Sequence, residues 1–360
     1  MGPIPDIVGV FRNSDAAMPV SAHLHVLTLD RLELVEQAWA RFADILGDTT
    51  RHSKLTLPAV DTLAGIDAAE LTSLPGIEDF VLLRRIRDEA VSGRWRRIVV
   101  DLSGTGDPFA FLRSASVLSQ ALGRMWPRHR RLAAAAERPV LAQVSAAVDA
   151  IDADCADVAE LLTDAHALAA HLVVGADDRA GRALPHYLAG CDLMGLPLRS
   201  VHLNEGVGGD LERAAAAVEG VLAAAPDGPE RTDRVPAVDA PLDRPARLRR
   251  LDVTLPAPNG RAHGSGAARV TQLAGTDDAP DIDRSSADVV YELSWTQRLP
   301  DPSSLALGRS GDDLLVTVGG LRHPVRLPSV LRRCEVVDAR WADATIVVRF
   351  RPDPAVWPQR

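Results

Sequence analysis

Lysine is almost missing from this chain. Among 360 residues carrying 40 Lys and Arg, the single lysine is Lys54, in "RHSKLTLP". Heavy use of Ala and Arg beside that scarcity points to a GC-rich coding sequence. It also limits the chemistry, because arginine's planar fork is a poor substitute where a compact ammonium is needed. Cysteine is scarce as well. Cys155, Cys191 and Cys334 lie far apart and form no CxxC pair, which argues against a disulfide framework or a structural zinc site. They read as buried or incidental thiols in a reducing cytosol. No apolar stretch reaches the roughly 18 residues of a membrane span. The start, "MGPIPDIVGVFRNSD", has no basic segment followed by an apolar one, so no secretory signal is expected. Asp6 stands where a myristoylation signal wants Ser or Thr. A net charge of −9 argues against a general nucleic-acid binder.

What is present is ordinary globular material, 46% apolar and 25% charged, with a length that suggests about two domains. "LHVLTLD" (24–30) alternates as a strand would, and Asp30 with Glu33 forms a capping box. Leu32, Val35, Trp39, Phe42 and Leu46 then follow at helical spacing, with Gly47 as the stop. A helix is expected over 78–92, a strand over Arg97–Leu102 and a helix over 108–125. Asp107 and Pro108 suit the first positions of that last helix. The α-then-β rhythm returns with a strand in "HLVVGADD", a helix kinked at Pro185, a strand in "LRSVHLNEG" and a helix in "DLERAAAAVEGVLAAAP". Such alternation implies a parallel sheet covered by helices.

The chain then changes character. Residues 226–247 are rich in Pro, Asp and Arg, and 248–256 read as one last strand. Residues 257–286 have the Gly, Ala, Asp and Ser content of a linker. Gly260, Gly264 and Gly266 follow no strand that leads into a helix, so a phosphate-loop reading of them is set aside. From 287 onward, short strands separated by turns predict a small antiparallel sandwich. The expected domains are therefore 1–256, the linker 257–286, and 287–360.

Two stretches resemble the ArsA-type anion-transporting ATPases, the family of the arsenite-pump ATPase and the targeting factor for tail-anchored membrane proteins. The first is "LPGIEDFVLLRRIRDEAVSGRWRRIVVDLSGTGDPFAFLR" (74–113). Pro75, Gly76 and Glu78 match the family's helix start, Asp101 its strand-end aspartate, and Thr105-Gly106 its Thr-Gly. Gly104 stands in place of the usual proline, and Asp107 in place of a polar residue or histidine. The second is the C-terminal segment, with "GDDLLVTVGGLRHPVRLP", "LRRC" and a terminal "WP". It is similar to the small-heat-shock-protein-like domain appended to many bacterial relatives. The resemblance implies an α/β fold, here an incomplete P-loop NTPase-like parallel sheet flanked by helices, plus a C-terminal all-β sandwich. It implies ATP and Mg as cofactors if nucleotide binding is retained, and none otherwise. It also implies a cytoplasmic homo- or hetero-dimer with an ArsA-type subunit and a membrane-protein client, with no nucleic acid partner and no membrane span.

The resemblance also exposes a gap. A G-x-x-x-x-G-K-[ST] loop wraps phosphates with backbone N–H groups, offsets β/γ charge with its lysine and holds magnesium with its hydroxyl. No such segment occurs in these 360 residues, and Lys54 has no glycine nearby. "PDIVGVFRNSDAAMPVSAHLHVLTLD" aligns with the family segment that follows the second strand. The strand carrying the loop normally pairs with the Asp101 strand, so Arg97–Leu102 would present unpaired backbone groups. Two explanations stand. The reading frame begins upstream and the protein is an active ATP hydrolase. Alternatively, the chain is a degenerate subunit that hydrolyses nothing and serves as a partner in ion or anion transport or membrane-protein handling. A third reading gives the function to the sandwich, as a chaperone-like client-binding module.

In the family reading Asp101 touches the magnesium shell or the attacking water, and Gly104, Thr105 and Gly106 form the γ-phosphate switch. Asn204 is an adenine contact in relatives. Read from the residues alone, Asp101 caps a turn, the switch is a turn, and Asn204 is a turn-former before "GVGG". No metal ligands are expected. His166, His171, His186 and His202 sit in separate elements without ligand spacing and read as packed or surface histidines. "RMWPRHRRL" (124–132) is the densest basic patch and reads as a solvated helix end, with partner contact as the alternative.

Overall fold

Asp30 turns the chain into its first long helix: its Oδ1 accepts from the Glu33 N–H at 3.1 Å, satisfying an amide with no intrahelical partner. A computed structural model of the chain describes residues 16–51, 65–72, 76–138, 141–175, 177–205, 211–223, 231–238, 245–273 and 289–357. Lys54 and the later part of the expected linker lie outside the described residues. The chain divides into two compact units, residues 1–161 with 242–245, and residues 162–241 with 246–360.

The first unit is helical apart from a hairpin, β1 (Met18–Ser21) against β2 (Leu24–Val26). Helix α1 (Arg31–Arg51) runs one turn beyond the expected stop at Gly47. It packs on α2 (Ile77–Val91), where Arg31 reaches Asp79 at 2.9 Å. The helix expected over 108–125 breaks at Arg113 into α3 (Pro108–Leu112) and α4 (Ser114–Met125). Next come α5 (Arg128–Glu137) and α6 (Ala142–Thr163). Acidic residues along α6 grip its neighbours. Asp154 and Asp157 take Arg87 of α2 at 2.7 and 2.9 Å, and Asp149 and Asp152 take the buried Arg131 of α5.

In the second unit a parallel sheet of order β3-β4-β5 is built from Ala170–Gly175, Leu198–Asn204 and Arg231–Val235. On one face lie α7 (Asp178–Met194) and α8 (Leu211–Ala223). Leu184 and Leu188 meet Val201, Leu203 and the α8 residues Ala214, Ala215 and Val218 there. The sandwich follows, with one sheet of order β10-β9-β8 and one of order β11-β12-β7-β6. Its strands are β6 (Arg269–Leu273), β7 (Val290–Thr296), β8 (Ala306–Ser310), β9 (Asp313–Val318), β10 (Leu321–Arg326), β11 (Cys334–Ala342) and β12 (Thr345–Pro352). Alternate residues point inward, as a strand's two-residue period requires: Leu314, Val316 and Val318 from β9, and Ile346, Val348 and Phe350 from β12. Ala189 and Leu193 of α7 belong to this same core. One helix thus serves two cores, the parallel sheet through Leu184 and Leu188 and the sandwich through Ala189 and Leu193.

A buried pair fixes that arrangement. Asp192, 2% exposed, takes Arg298 just beyond β7 through Nε at 2.7 Å, through Nη2, and through the Arg298 backbone N–H at 2.9 Å. Burial pushes the Asp192 carboxyl up, and Arg298 opposes that rise. Next to it Gln297 donates to the Ala189 carbonyl at 2.9 Å, and Ser265 donates to the Leu193 carbonyl at 2.7 Å.

The structure differs from several expectations. Residues 97–102 form no strand; they lie outside regular structure and are largely exposed, and Val99 is 71% exposed. Residues 248–256 hold a helical turn and a 3-10 turn (Arg249–Leu251) in place of a strand. Residues 231–235 form β5, a charged edge strand. Within the expected linker, Gly264–Ala267 make a 3-10 turn and Arg269–Leu273 become β6, paired antiparallel with β7. The glycines there serve close packing. A Cβ on Gly264, whose φ is +56°, would sit 2.0 Å from the Asp192 carbonyl oxygen, and one on Gly266 would sit 2.9 Å from the Gly195 oxygen.

Gly264→Ala is expected to cost roughly 3 kcal/mol and to lower the melting temperature by about 6–12 °C. Gly104→Ala, with open space where its Cβ would go, is expected to stay within about 0.5 kcal/mol of the parent. Thermal unfolding of the two variants side by side checks the pair.

Candidate functional site

The Asp101 turn begins at a buried carboxylate. Glu89, near the end of α2, accepts from Trp95 Nε1 at 2.7 Å and from Arg94 Nη2 at 2.5 Å, and pairs with Arg85 at 2.6 Å. The indole N–H of Trp95, with Arg85 and Arg94, holds the Glu89 carboxyl below its ordinary value against the opposing effect of burial. Trp95 also lies against His25 of β2, ring centroids 5.1 Å apart. Its side chain is thus fixed on both sides, and the chain leaves it as segment 97–102.

Asp101 ends that segment on the surface, and its Oδ1 accepts from the Ser103 N–H at 2.9 Å. Thr105 closes the turn, its N–H and its hydroxyl both donating to the Leu102 carbonyl at 3.1 and 2.8 Å. Gly106 takes φ +78°, a conformation that favours glycine. Asp107 then caps α3, accepting from Phe109 and Ala110 at 2.9 and 3.2 Å, with Pro108 next. Asp101, Gly104, Thr105 and Gly106 therefore share one exposed turn. Asn204 lies in the other unit, at the end of β4 beside Gly175 and Val235. A groove of about 270 Å³ between α1 and α2 is lined by Arg41, Arg84 and Asp88 among others and includes no residue of this turn.

Of the groups that hold an ATP–magnesium complex in a phosphate-loop site, the 360 residues contain no lysine after a glycine-rich segment, and Asp101 accepts from the Ser103 N–H through one of its two carboxylate oxygens. Among the described residues no three His, Cys, Asp or Glu side chains gather as metal ligands.

Sequence reasoning missed a polar chain on the sheet face opposite α7 and α8. Ser200 and His202 alternate with Val201 and Leu203 along β4, so the apolar pair faces the helices and the polar pair faces away. His171 Nδ1 lies 2.7 Å from Ser200 Oγ, which lies 2.7 Å from His202 Nε2. His202 Nδ1 is buried and faces Asp233 Oδ2 of β5 at 3.7 Å, and that carboxylate also pairs with Arg231 Nε at 2.6 Å. Ser200 has one proton to give. If it donates to His202 Nε2, neutral His202 carries its own proton on Nδ1, aimed at Asp233. The order of groups is that of a nucleophile, base and orienting acid. Ser200 is 0% exposed, however, so no substrate reaches it. The chain of contacts ties β3, β4 and β5 together across the sheet. The signal in the sequence was the two-residue spacing in "RSVHLN"; its partners on β3 and β5 become visible only with the register.

The architecture defines a class: a helix-flanked parallel α/β sheet, an acidic turn at the end of a β-branched run, and a C-terminal antiparallel sandwich. The anion-transporting ATPase family matches residues 3–178, and the HSP20-like domain found in ArsA matches residues 290–350. The chain belongs to the ArsA family of anion-transporting ATPases, in the form that carries a C-terminal HSP20-like domain. It is 32% identical to protein Rv2184c of Mycobacterium tuberculosis over 353 residues, covering 93% of this chain and 80% of that protein. It is 32% identical to the uncharacterized protein SCO2128 of Streptomyces coelicolor, covering 84% of this chain and 77% of that one. A Chlorobaculum tepidum protein named as an arsenical pump-driving ATPase is 23% identical over 80% of this chain and 73% of its own length.

Burial lowers the His202 pKa, helped by Arg231 and opposed by Asp233. The folded state thus binds this proton more weakly than the unfolded chain, whose value is near 6.5. Stability is complete above about pH 6.5 and declines as pH falls below it. Denaturant midpoints measured across that range should fall less steeply in His202→Gln than in the parent.

Proposed function

We propose that the 360-residue chain is a non-hydrolysing ArsA-type subunit. It acts with a related, nucleotide-binding chain in ion or anion transport or in membrane-protein handling, on the cytoplasmic side. The observation that carries this reading is the segment 97–102. Ile98, Val99 and Val100 are a run of branched apolar residues suited to a strand buried on both faces, yet they are exposed and in no sheet of the described residues. A strand with bare N–H and C=O groups is a template for pairing with another chain. The Asp101 turn at its end is preformed by Ser103 and Thr105 and needs no nucleotide to hold its shape. No helix among the described residues is long and apolar enough to cross a membrane, and the three cysteines are free and buried; both suit a protein that works beside a membrane component.

The client-binding reading of the sandwich has less support. Its inner faces are filled by its own core and by Ala189 and Leu193 of α7. Removing 287–360 would strip that helix of its cover, so loss of activity in such a truncation would report on folding as much as on clients.

ATP turnover by this chain is expected to be absent, and Asp101→Asn to change nothing; magnesium-dependent hydrolysis that disappears in Asp101→Asn would overturn the reading. Amides of residues 97–102 should exchange rapidly in the chain alone and slow by roughly tenfold or more when an ArsA-type ATPase subunit is added. Unchanged exchange in the mixture would count against the partner role.

A further inference from the structure

The polar face of the parallel sheet carries a hydrogen-bond chain with room for a limited number of protons. His171 Nδ1 and His202 Nε2 each lie 2.7 Å from Ser200 Oγ, and the ring centroids are 6.1 Å apart. Ser200 and His202 are buried, whereas His171 on β3 is half-buried. A serine hydroxyl donates once and accepts twice. Both contacts are therefore hydrogen bonds only if at least one ring turns an N–H toward Ser200. Among the described residues the hydroxyl has no other partner, so its own proton goes to the remaining ring.

Asp233 sets the direction of the chain. Its carboxylate lies 3.7 Å from His202 Nδ1. A bare nitrogen lone pair at that position would face a negative oxygen, so neutral His202 keeps its proton on Nδ1 and accepts from Ser200 at Nε2. His171 then donates to Ser200 from Nδ1. Arg231 pairs with Asp233 at 2.6 Å and is the other charged group acting on His202. A first added proton goes to the half-buried ring, at His171 Nε2. His171 still donates to Ser200 and Ser200 still donates to His202, so both bonds are kept. A second proton has only His202 Nε2 to take. Both rings then aim an N–H at Ser200, whose hydroxyl proton loses its acceptor in a buried place. Two positive rings also stand side by side across β3 and β4, with Arg231 as a third cation. The strain falls on an edge strand. Among the described residues β3 pairs with β4 alone, and their register shifts between Ala170 and His171, so the side-chain tie acts where the backbone ladder is irregular.

We infer that His171, Ser200 and His202 form an acid-sensitive latch on the parallel sheet, which holds β3 to β4 with one added proton and opens with a second. The test is a pH titration of the full chain carrying isotope-labelled histidines. Long-range proton–nitrogen correlation spectra read the tautomer and charge of each ring, and His171→Gln and His202→Gln assign the signals. At about pH 8 both rings should carry their proton on Nδ1. On acidification the rings should titrate in two steps about one pH unit or more apart, His171 first. Amide protection over 170–175, corrected for the pH dependence of intrinsic exchange, should hold through the first step and fall roughly tenfold at the second. Ser200→Ala removes the shared hydroxyl and should bring the two steps closer together; if that variant does not fold, the tautomers and step order of the parent decide. A neutral ring with its proton on Nε2, coincident steps in the parent, loss of β3 protection with the first proton, or an unchanged gap in Ser200→Ala would each overturn the latch.

Discussion

The second unit depends on the contact between Asp192 and Arg298. The carboxylate comes from the last turns of α7, and the guanidinium from the residue pair that follows β7. Neither charge tolerates burial alone. Because the Arg298 backbone N–H also donates to Asp192, the pair fixes chain position as well as charge. It holds α7 against the sandwich closely enough for Ala189 and Leu193 to enter that core while Leu184 and Leu188 fill the other. Replacing one partner would leave the other uncompensated, at a cost of about 3–5 kcal/mol.

This contact also dictates the neighbouring backbone. To enclose Asp192 and the end of α7, the segment before β6 must approach within van der Waals distance of the Asp192 and Gly195 main chain. Only glycine permits that at 264 and 266. Arg199 of β4, fully buried, holds the same segment through the Arg261 carbonyl at 2.6 Å and His263 Nε2 at 3.1 Å. The parallel sheet and the HSP20-like sandwich therefore meet through a polar, specific joint set among apolar contacts. Both belong to one compact unit.

The legible parts of the sequence were those where side-chain period reports burial. β9 and β12 alternate cleanly, α7 and α8 carry apolar stripes, and Asp107-Pro108 announces a helix start; all three have a local cause. The illegible parts have non-local causes. β5, "RTDRV", has no apolar signature because it is an edge strand: Arg231 and Arg234 are exposed, and Asp233 is turned toward His202. The "HGSGAA" stretch has a linker's composition, but its glycines answer to the backbone of a helix some seventy residues earlier. Segment 97–102 fails in the opposite sense. Its residues specify a strand, and the described chain offers nothing for it to pair with. At the candidate site, sequence located the Asp101 turn and Asn204, but could not show that they fall in separate units. Nor could it show that His171 and His202 share a serine.

Local preference and tertiary structure thus disagree at one main place, and that disagreement carries the functional argument. A natural sequence is generally consistent across levels, and violations gather where a protein does something. Exposed Val99 costs the isolated chain solubility, and its bare amides cost order, with no internal return. Glu89, Trp95 and His25 nevertheless fix where the segment starts, and Ser103 and Thr105 fix how it ends. A segment held at both ends and bare between them is preorganised: the entropy of ordering it is spent before a partner arrives. Simple decay of a lost site would leave the middle unmatched, but gives no reason for both anchors to persist. The anchors hold both ends of the segment and leave Ile98, Val99 and Val100 exposed between them.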